Sequence, residues 1–436
     1  VPEASHKRST PRTPWIWIPT LYFAEGLPNA IVTTISVVLY KALGVSNSRI
    51  GLYTGFFYLP WVLKPLWSPI VDILKTRRLW IWRMQCVLGL GFAGIAVALP
   101  SSNFILLSIP LFWIIAFSSA THDIAADGFY ILALRDEQQS FFVGVRSTIY
   151  RFANLFVQGP FIFMAAEIKE HLGSETHAWA LAFAGMAALF GGLGAYHGFI
   201  LPQPANDKPG ESGSLSRFFH EFFQTFATFF EKPKIAILLL FLLFYRFGEA
   251  QLLPMAKSFL LDAPAAGGLN LTEKQFSVIY GTAGTIALMA GGIIGGLLVS
   301  RQGLRACIWP MVLVMHLPDA VFIYLSYARP ESLTLIGASV ALEQFGYGFG
   351  FTAYMLYMIY IARGQHSTAH YAICTGFMAL GLMLPGMWSG ELQKFLGYPH
   401  FFIWVMLATI PGFIVTALIP LDREFGKKRS ADLQSA

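Results

Sequence analysis

The chain has 436 residues, of which 55% are hydrophobic and only 12% charged, about half the charged fraction of an ordinary soluble protein. Apolar runs long enough to cross a bilayer recur along it, which excludes a soluble globular domain and predicts an all-α polytopic membrane protein. The net charge of +6 is scattered through loops, so no nucleic-acid partner is expected, and the three cysteines form neither a disulfide nor a metal pattern.

Twelve spans are predicted, at 15–40, 49–72, 81–99, 104–134, 141–166, 178–201, 235–260, 274–299, 306–327, 332–362, 369–393 and 400–420. The first is expected to be a retained span, because the apolar run after Pro14 is too long for a cleaved signal peptide. With connections assigned alternately, one side collects 18 Lys and Arg and the other 7. The basic side includes both termini, so both are expected in the cytoplasm.

The longest polar connection, 202–234, opens with a Pro- and Gly-containing linker. Phenylalanines then recur at helical spacing from Phe218 to Phe230, with His220, Glu221, Gln224 and Thr228 between them. This predicts an amphipathic helix on the cytoplasmic membrane surface. The expected domains are a six-helix bundle over 1–201, the linker over 202–234, and a second six-helix bundle with a short tail over 235–436. That outline is the major facilitator fold. The halves echo each other: a Ser/Thr start precedes the second span of each, at Ser46–Ser48 and Thr272, and Glu25 with Pro28 corresponds loosely to Glu249 with Pro254. Parallel repeats of this kind place a site at the repeat interface near the midplane.

Glu25, Lys64, Asp123, Asp127, Arg146, Arg151, Arg246, Glu249, His316, Asp319, Glu343 and Glu391 all fall inside predicted spans. Each charge facing lipid would cost about 3 kcal/mol, so these groups must line a cavity or pair. Asp123 and Asp127, four apart, share one helix face. By depth, Asp123 could pair with Arg151, and Asp127 with Arg146 as a structural brace; Arg246 and Glu249, three apart, could pair along one face. Glu25, Asp123 and Glu249 are the candidates for carrying a proton; the alternative is a set of static braces. Lys64, Arg151 and Arg246 suit an anionic substrate or, equally, neutralise the acids. Glu343, Tyr347, Tyr354 and Trp388 are further candidates for the substrate site, with the aromatics either stacking on sugar rings or packing. Gly346, Gly348 and Gly350 predict close helix approach. Asp72, Arg77 and Arg78 form a charged loop like the gate that latches the halves of major facilitators. Neither a nucleophile–base set nor a phosphate loop stands out, so an enzyme is not expected and no cofactor or metal is assigned.

Several of these stretches resemble the AmpG family of muropeptide permeases, relatives of the acetyl-coenzyme A transporters. The run from Ala120 through Thr121, His122, Asp123 and Ile124 to Asp127 and Gly128 is similar to the family's Ala-Thr-Gln-Asp-Ile-x-x-Asp-[Ala/Gly]. Pro60 to Asp72, with Leu63, Lys64, Leu66, Trp67 and Pro69, is similar to Pro-x-x-Leu-Lys-x-Leu-Trp-Ala-Pro-x-x-Asp. Tyr245, Arg246, Gly248, Glu249 and Ala250 resemble Tyr-Lys-[Leu/Phe]-Gly-Asp-Ala, and Tyr150 with Arg151 and Thr368–Ala372 also fit. The departures are His122 for glutamine, Arg246 for lysine, Glu249 for aspartate, and two extra spans of the enteric members that are missing here. The resemblance implies a proton-driven importer of GlcNAc-1,6-anhydro-MurNAc, with or without peptide, acting as a monomer in the bacterial inner membrane. Its expected partners are the amino-sugar substrate, protons and the lipid bilayer. The alternatives are a permease for another sugar, an oligosaccharide or an acyl-coenzyme A, and a sensor that binds muropeptide without moving it.

Overall fold

The computed structural model describes residues 13–45, 54, 56–209 and 215–427. The predicted Ser46–Ser48 helix start lies outside them. The described chain is helical throughout, and apolar length dictates why: backbone groups in a bilayer must bond within their own segment. Among the described residues, eight helical stretches are long and apolar enough to cross a membrane, and the last, Ser367–Leu418, is 52 residues long. That last stretch is two spans. Gly397, at φ 70°, breaks it just before Tyr398 and Pro399, a conformation that costs glycine nothing. Spans two, five and ten complete the twelve. Span two is assembled from Leu59–Leu63, Lys64–Leu66 and Ser68–Leu74, span five from Asp136–Phe156, Val157–Phe161 and Ile162–Leu172, and span ten is Leu333–Ala362.

Side-chain caps set several span starts, as the orphan N–H groups of a helix require. Thr76 accepts from the Leu79 N–H at span three, Ser174 from His177 at span six and Ser332 from Leu335 at span ten. Thr272 and Gln275 bond each other's backbone N–H at 3.3 and 2.9 Å ahead of span eight, a reciprocal capping pair.

Among the described residues, three spans are broken by a 3-10 turn or a gap, and each of these breaks carries a charge. Lys64 opens a single 3-10 turn inside span two, ahead of Pro65. Span seven breaks between Ile235–Phe244 and Phe247–Leu261, and Arg246 sits in the gap. Span nine turns to 3-10 geometry at Leu317–Ala320, which contains Asp319.

The chain packs as two units. The described residues of Val1–Ala133 and Ile149–Phe218 form one, and those of Leu134–Thr148 and Phe219–Ala436 the other. The core of the first is rich in rings: Phe57, Phe92, Phe112 and Phe183 are fully buried and meet edge-on or tilted. In the second, Phe259, Phe322, Tyr398 and Phe402 play that part. Spans eight and ten touch backbone to backbone. A Cβ on Gly348 would lie 2.0 Å from the Leu288 carbonyl oxygen, so only glycine fits. The start of span five belongs to the second unit, where Arg363 pairs with Asp136 and Ser147 donates to Met355 Sδ at 3.2 Å.

The expected linker helix is present as Leu215–Phe230. One face enters the second unit. Phe229 is buried against His370 and Phe377, and the Thr225 carbonyl lies 3.1 Å from His370 Nε2. Phe219, Phe223 and Phe230 are exposed along another face, as an in-plane membrane helix requires. Just beyond it Lys232 donates to the Arg363 carbonyl at 3.0 Å. Partial burial there holds the Lys232 ammonium below its usual range.

Candidate functional site

In the first unit, spans one, two and four bring Glu25, Lys64, Asp123 and Asp127 together. All four side chains are buried. One carboxylate oxygen from each of Glu25, Asp123 and Asp127 lies within 4.8 Å of the others. Lys64 forms an ion pair with Asp123, and Tyr22 donates to Asp127 at 3.3 Å. The helical break positions Lys64: the turn into Pro65 lifts its side chain out of the regular helical row toward span four. Trp67 braces that turn by donating to Thr121 at 3.3 Å.

This arrangement has a chemical consequence. Carboxylates this close repel one another, and a proton taken up by one of them relieves the repulsion.

The second unit has a counterpart on spans seven and ten. Arg246 donates to both oxygens of Glu249, at 2.7 and 3.1 Å, and to the Tyr347 hydroxyl at 2.9 Å. Its guanidinium also sits 4.7 Å from the centre of the Phe351 ring. A bidentate pair with a stacked face is the geometry that favours arginine over lysine. Glu343, on span ten, accepts from Gln344 at 2.9 Å.

The other sequence candidates distribute as follows. The structure gives Asp123 to Lys64, where depth alone had offered it Arg151, which is half-buried in span five. Arg146 is fully buried in the second unit, donating to the Tyr371 hydroxyl and lying over its ring, while Asp127 bonds Tyr22. Tyr354 is a packing residue: it stacks on Tyr245, and its hydroxyl is spent on the Leu242 carbonyl. Tyr347 is buried beside Arg246, and Trp388 is 75% exposed. Arg77 pairs with Asp72, and Asp207 accepts the backbone N–H groups of Arg77 and Arg78 at 2.8 and 3.1 Å. Arg78 reaches the Leu201 carbonyl at 3.2 Å. These bonds tie the start of span three to the end of span six inside one unit, whereas the sequence suggested a latch between halves.

One network was missed. Thr20, His197, Gln85 and His122 form a buried relay across spans one, six, three and four, with contacts of 3.0, 2.9 and 2.9 Å. It ends next to Asp123. The signal was available: Gln85 and His197 are isolated polar residues in otherwise apolar runs.

Twelve spans, breaks that present charges, and buried acids held against cations are the features of a membrane transporter with the major facilitator fold. Comparison with known proteins agrees. Residues 25–154 match the BT1 family. The chain is 25% identical over 404 residues to the anhydromuropeptide permease of Escherichia coli K12, covering 91% of this chain and 77% of that one. It is 23% identical over 406 residues to a Rickettsia conorii protein provisionally named transporter AmpG 4, covering 91% and 94% of the two chains. The crystal structure of the E. coli fucose:proton symporter FucP superimposes with a TM-score of 0.69 at 14% identity, covering 94% of this chain and 99% of that one. The chain is a multi-pass membrane transporter, similar over most of its length to these permeases.

Proposed function

We propose that this transporter imports anionic amino-sugar products of cell-wall turnover, GlcNAc-1,6-anhydro-MurNAc with or without peptide, together with protons by alternating access. It would act in the bacterial inner membrane with both termini in the cytoplasm. The observation that carries the coupling is the gathering of Glu25, Asp123 and Asp127, with carboxylate oxygens within 4.8 Å of one another, beside Lys64, because a proton on one of them relieves their mutual repulsion. The substrate class rests on the likeness to the anhydromuropeptide permease.

The ion pairs suggest how proton and anion travel together. Lys64 and Arg246 are each held by an acid, Asp123 and Glu249. A proton arriving on that acid releases the cation for the carboxylate of a muramic acid residue, so anion and proton load as one neutral exchange. Arg151 offers a further cation, and Glu343, Tyr347 and Trp388 offer a hydrogen-bonding and stacking surface for the sugars. Asp127 is assigned to bracing through Tyr22, Arg146 to bracing through Tyr371, and Asp72 with Arg77 to holding the turn between spans two and three.

The test is uptake of radiolabelled GlcNAc-anhydro-MurNAc into proteoliposomes under an inward proton gradient, an inward sodium gradient, or neither. Accumulation under the proton gradient alone is expected, and Asp123→Asn should abolish it. Uptake that ignores the proton gradient would remove the coupling, and no uptake of this sugar beside uptake of a neutral oligosaccharide would remove the substrate.

A further inference from the structure

We infer that His316 and Asp319, with Glu343 beside them, form a second proton-binding site, contained wholly in the second unit and distinct from Glu25 and Asp123. Asp319 is 2% exposed and His316 fully buried, near the middle of the span Leu304–Ala328. Asp319 occupies the 3-10 turn that interrupts this span. Interrupted helices are where membrane transporters place their ion sites, and Lys64 and Arg246 sit on the other two interruptions.

The geometry identifies the missing ligand. His316 Nε2 lies 3.0 Å from the Tyr245 carbonyl oxygen. A carbonyl only accepts, so Nε2 carries a hydrogen. In a neutral imidazole the other nitrogen, Nδ1, then presents a bare lone pair. That lone pair faces Asp319 Oδ2 at 3.8 Å, and neither atom has a hydrogen-bond partner. Two acceptors facing each other in a buried site repel. One proton between them, on the carboxyl or on the ring, turns the repulsion into a hydrogen bond, and a contraction of less than 1 Å would bring it to normal length.

The surroundings hold that proton in place. Glu249 on span seven interacts electrostatically with Asp319 and His316, and Glu343 on span ten with Asp319. The Arg246 guanidinium is the positive charge facing this group, and both Glu249 oxygens already occupy it. Gln344 bonds Glu343, while Tyr280 faces it from span eight. Acids therefore outnumber the cation among the described groups here. Coupled to the proposed proton-driven import, the site gives the transporter one proton position in each unit.

The test reads protons directly and needs no transport. pH-dependent infrared difference spectra of the full-length protein in nanodiscs report protonated carboxyl groups through their C=O stretch, and histidine through its ring modes. Asp319→Asn should remove one protonated carboxyl or, if the proton rides on the ring, convert the His316 modes from imidazolium to neutral imidazole. His316→Gln, which keeps a polar side chain, should shift the same band, and Asp319→Glu should restore it. Should Asp319→Asn not fold, His316→Gln and Glu343→Gln read the same band. Spectra unchanged in all the folded variants overturn the inference, whatever the uptake assay shows. Absence of uptake with these bands present overturns only the import reading.

Discussion

Replacing Lys64 with methionine keeps the length and apolar stem of the side chain and removes its charge. Lys64 and Asp123 are each less than a tenth exposed, so water does little to screen them. Removing one partner of a buried pair typically costs about 3–5 kcal/mol, because the other charge is left without compensation. Asp123 keeps Glu25 and Asp127 within 4.8 Å, and a proton taken up there lets it form a charged hydrogen bond to either, a contribution of about 1.5–3 kcal/mol. The loss should therefore fall near the lower end, about 3 kcal/mol. Lys64→Met combined with Asp123→Asn removes the stranded charge and should recover about 2 kcal/mol of it. The assay is a double-mutant cycle on the purified protein, read by denaturant unfolding in detergent for wild type, the two single variants and the double. A coupling energy under about 0.5 kcal/mol, the level expected of independent sites, would refute the claim that Lys64 holds Asp123.

Three further outcomes are expected. Gly348→Ala drives a Cβ into the Leu288 carbonyl, so spans eight and ten must part; overpacking of this kind costs about 1–3 kcal/mol, and a wild-type melting temperature would show that the spans are not in backbone contact. Arg246→Lys loses the bidentate grip on Glu249 and the stacking on Phe351, so uptake should fall about tenfold or more, the equivalent of 1.4 kcal/mol; unchanged initial rates would mean that a point charge is enough. Asp207→Ala uncaps span three, where its carboxylate accepts two backbone N–H groups. It should cost about 1–2 kcal/mol of stability, measured by thermal unfolding, with Asp207→Asn closer to wild type.

Much of the fold is legible in the sequence because crossing a bilayer demands apolar length, and length is visible in one dimension. The predicted spans at 104–134 and 332–362 differ by a residue from the helices Phe104–Ala133 and Leu333–Ala362. The partners of the charges are not visible in this way. Lys64 and Asp123 are 59 residues apart, and depth alone leaves Lys64 and Arg151 equally eligible. What decides is the turn at Lys64–Leu66. Pro65 hints at that turn without fixing its direction, since proline is tolerated in membrane helices. Tyr354 shows the same limit: its ring reads equally well as a sugar platform or as packing, and only the Leu242 carbonyl across from its hydroxyl decides the matter. Span nine is the sharpest case. The sequence shows a histidine and an aspartate three apart, whereas the opposed lone pairs at 3.8 Å depend on which ring nitrogen Tyr245 takes.

The two units reach the same charge pattern by different residues. Each has a glutamate on its first span, Glu25 or Glu249, and a cation at a helical interruption, Lys64 or Arg246. Each also has a buried acid on its fourth span, Asp123 or Glu343. The partners differ, for Lys64 holds the fourth-span acid while Arg246 holds the first-span glutamate. Stability does not explain the repetition, because a buried ion pair is often no better than well-packed apolar side chains of the same size. Two such sets within one chain, each gathering buried acids about a cation at a helical break, are the arrangement expected if each set takes up and releases a proton.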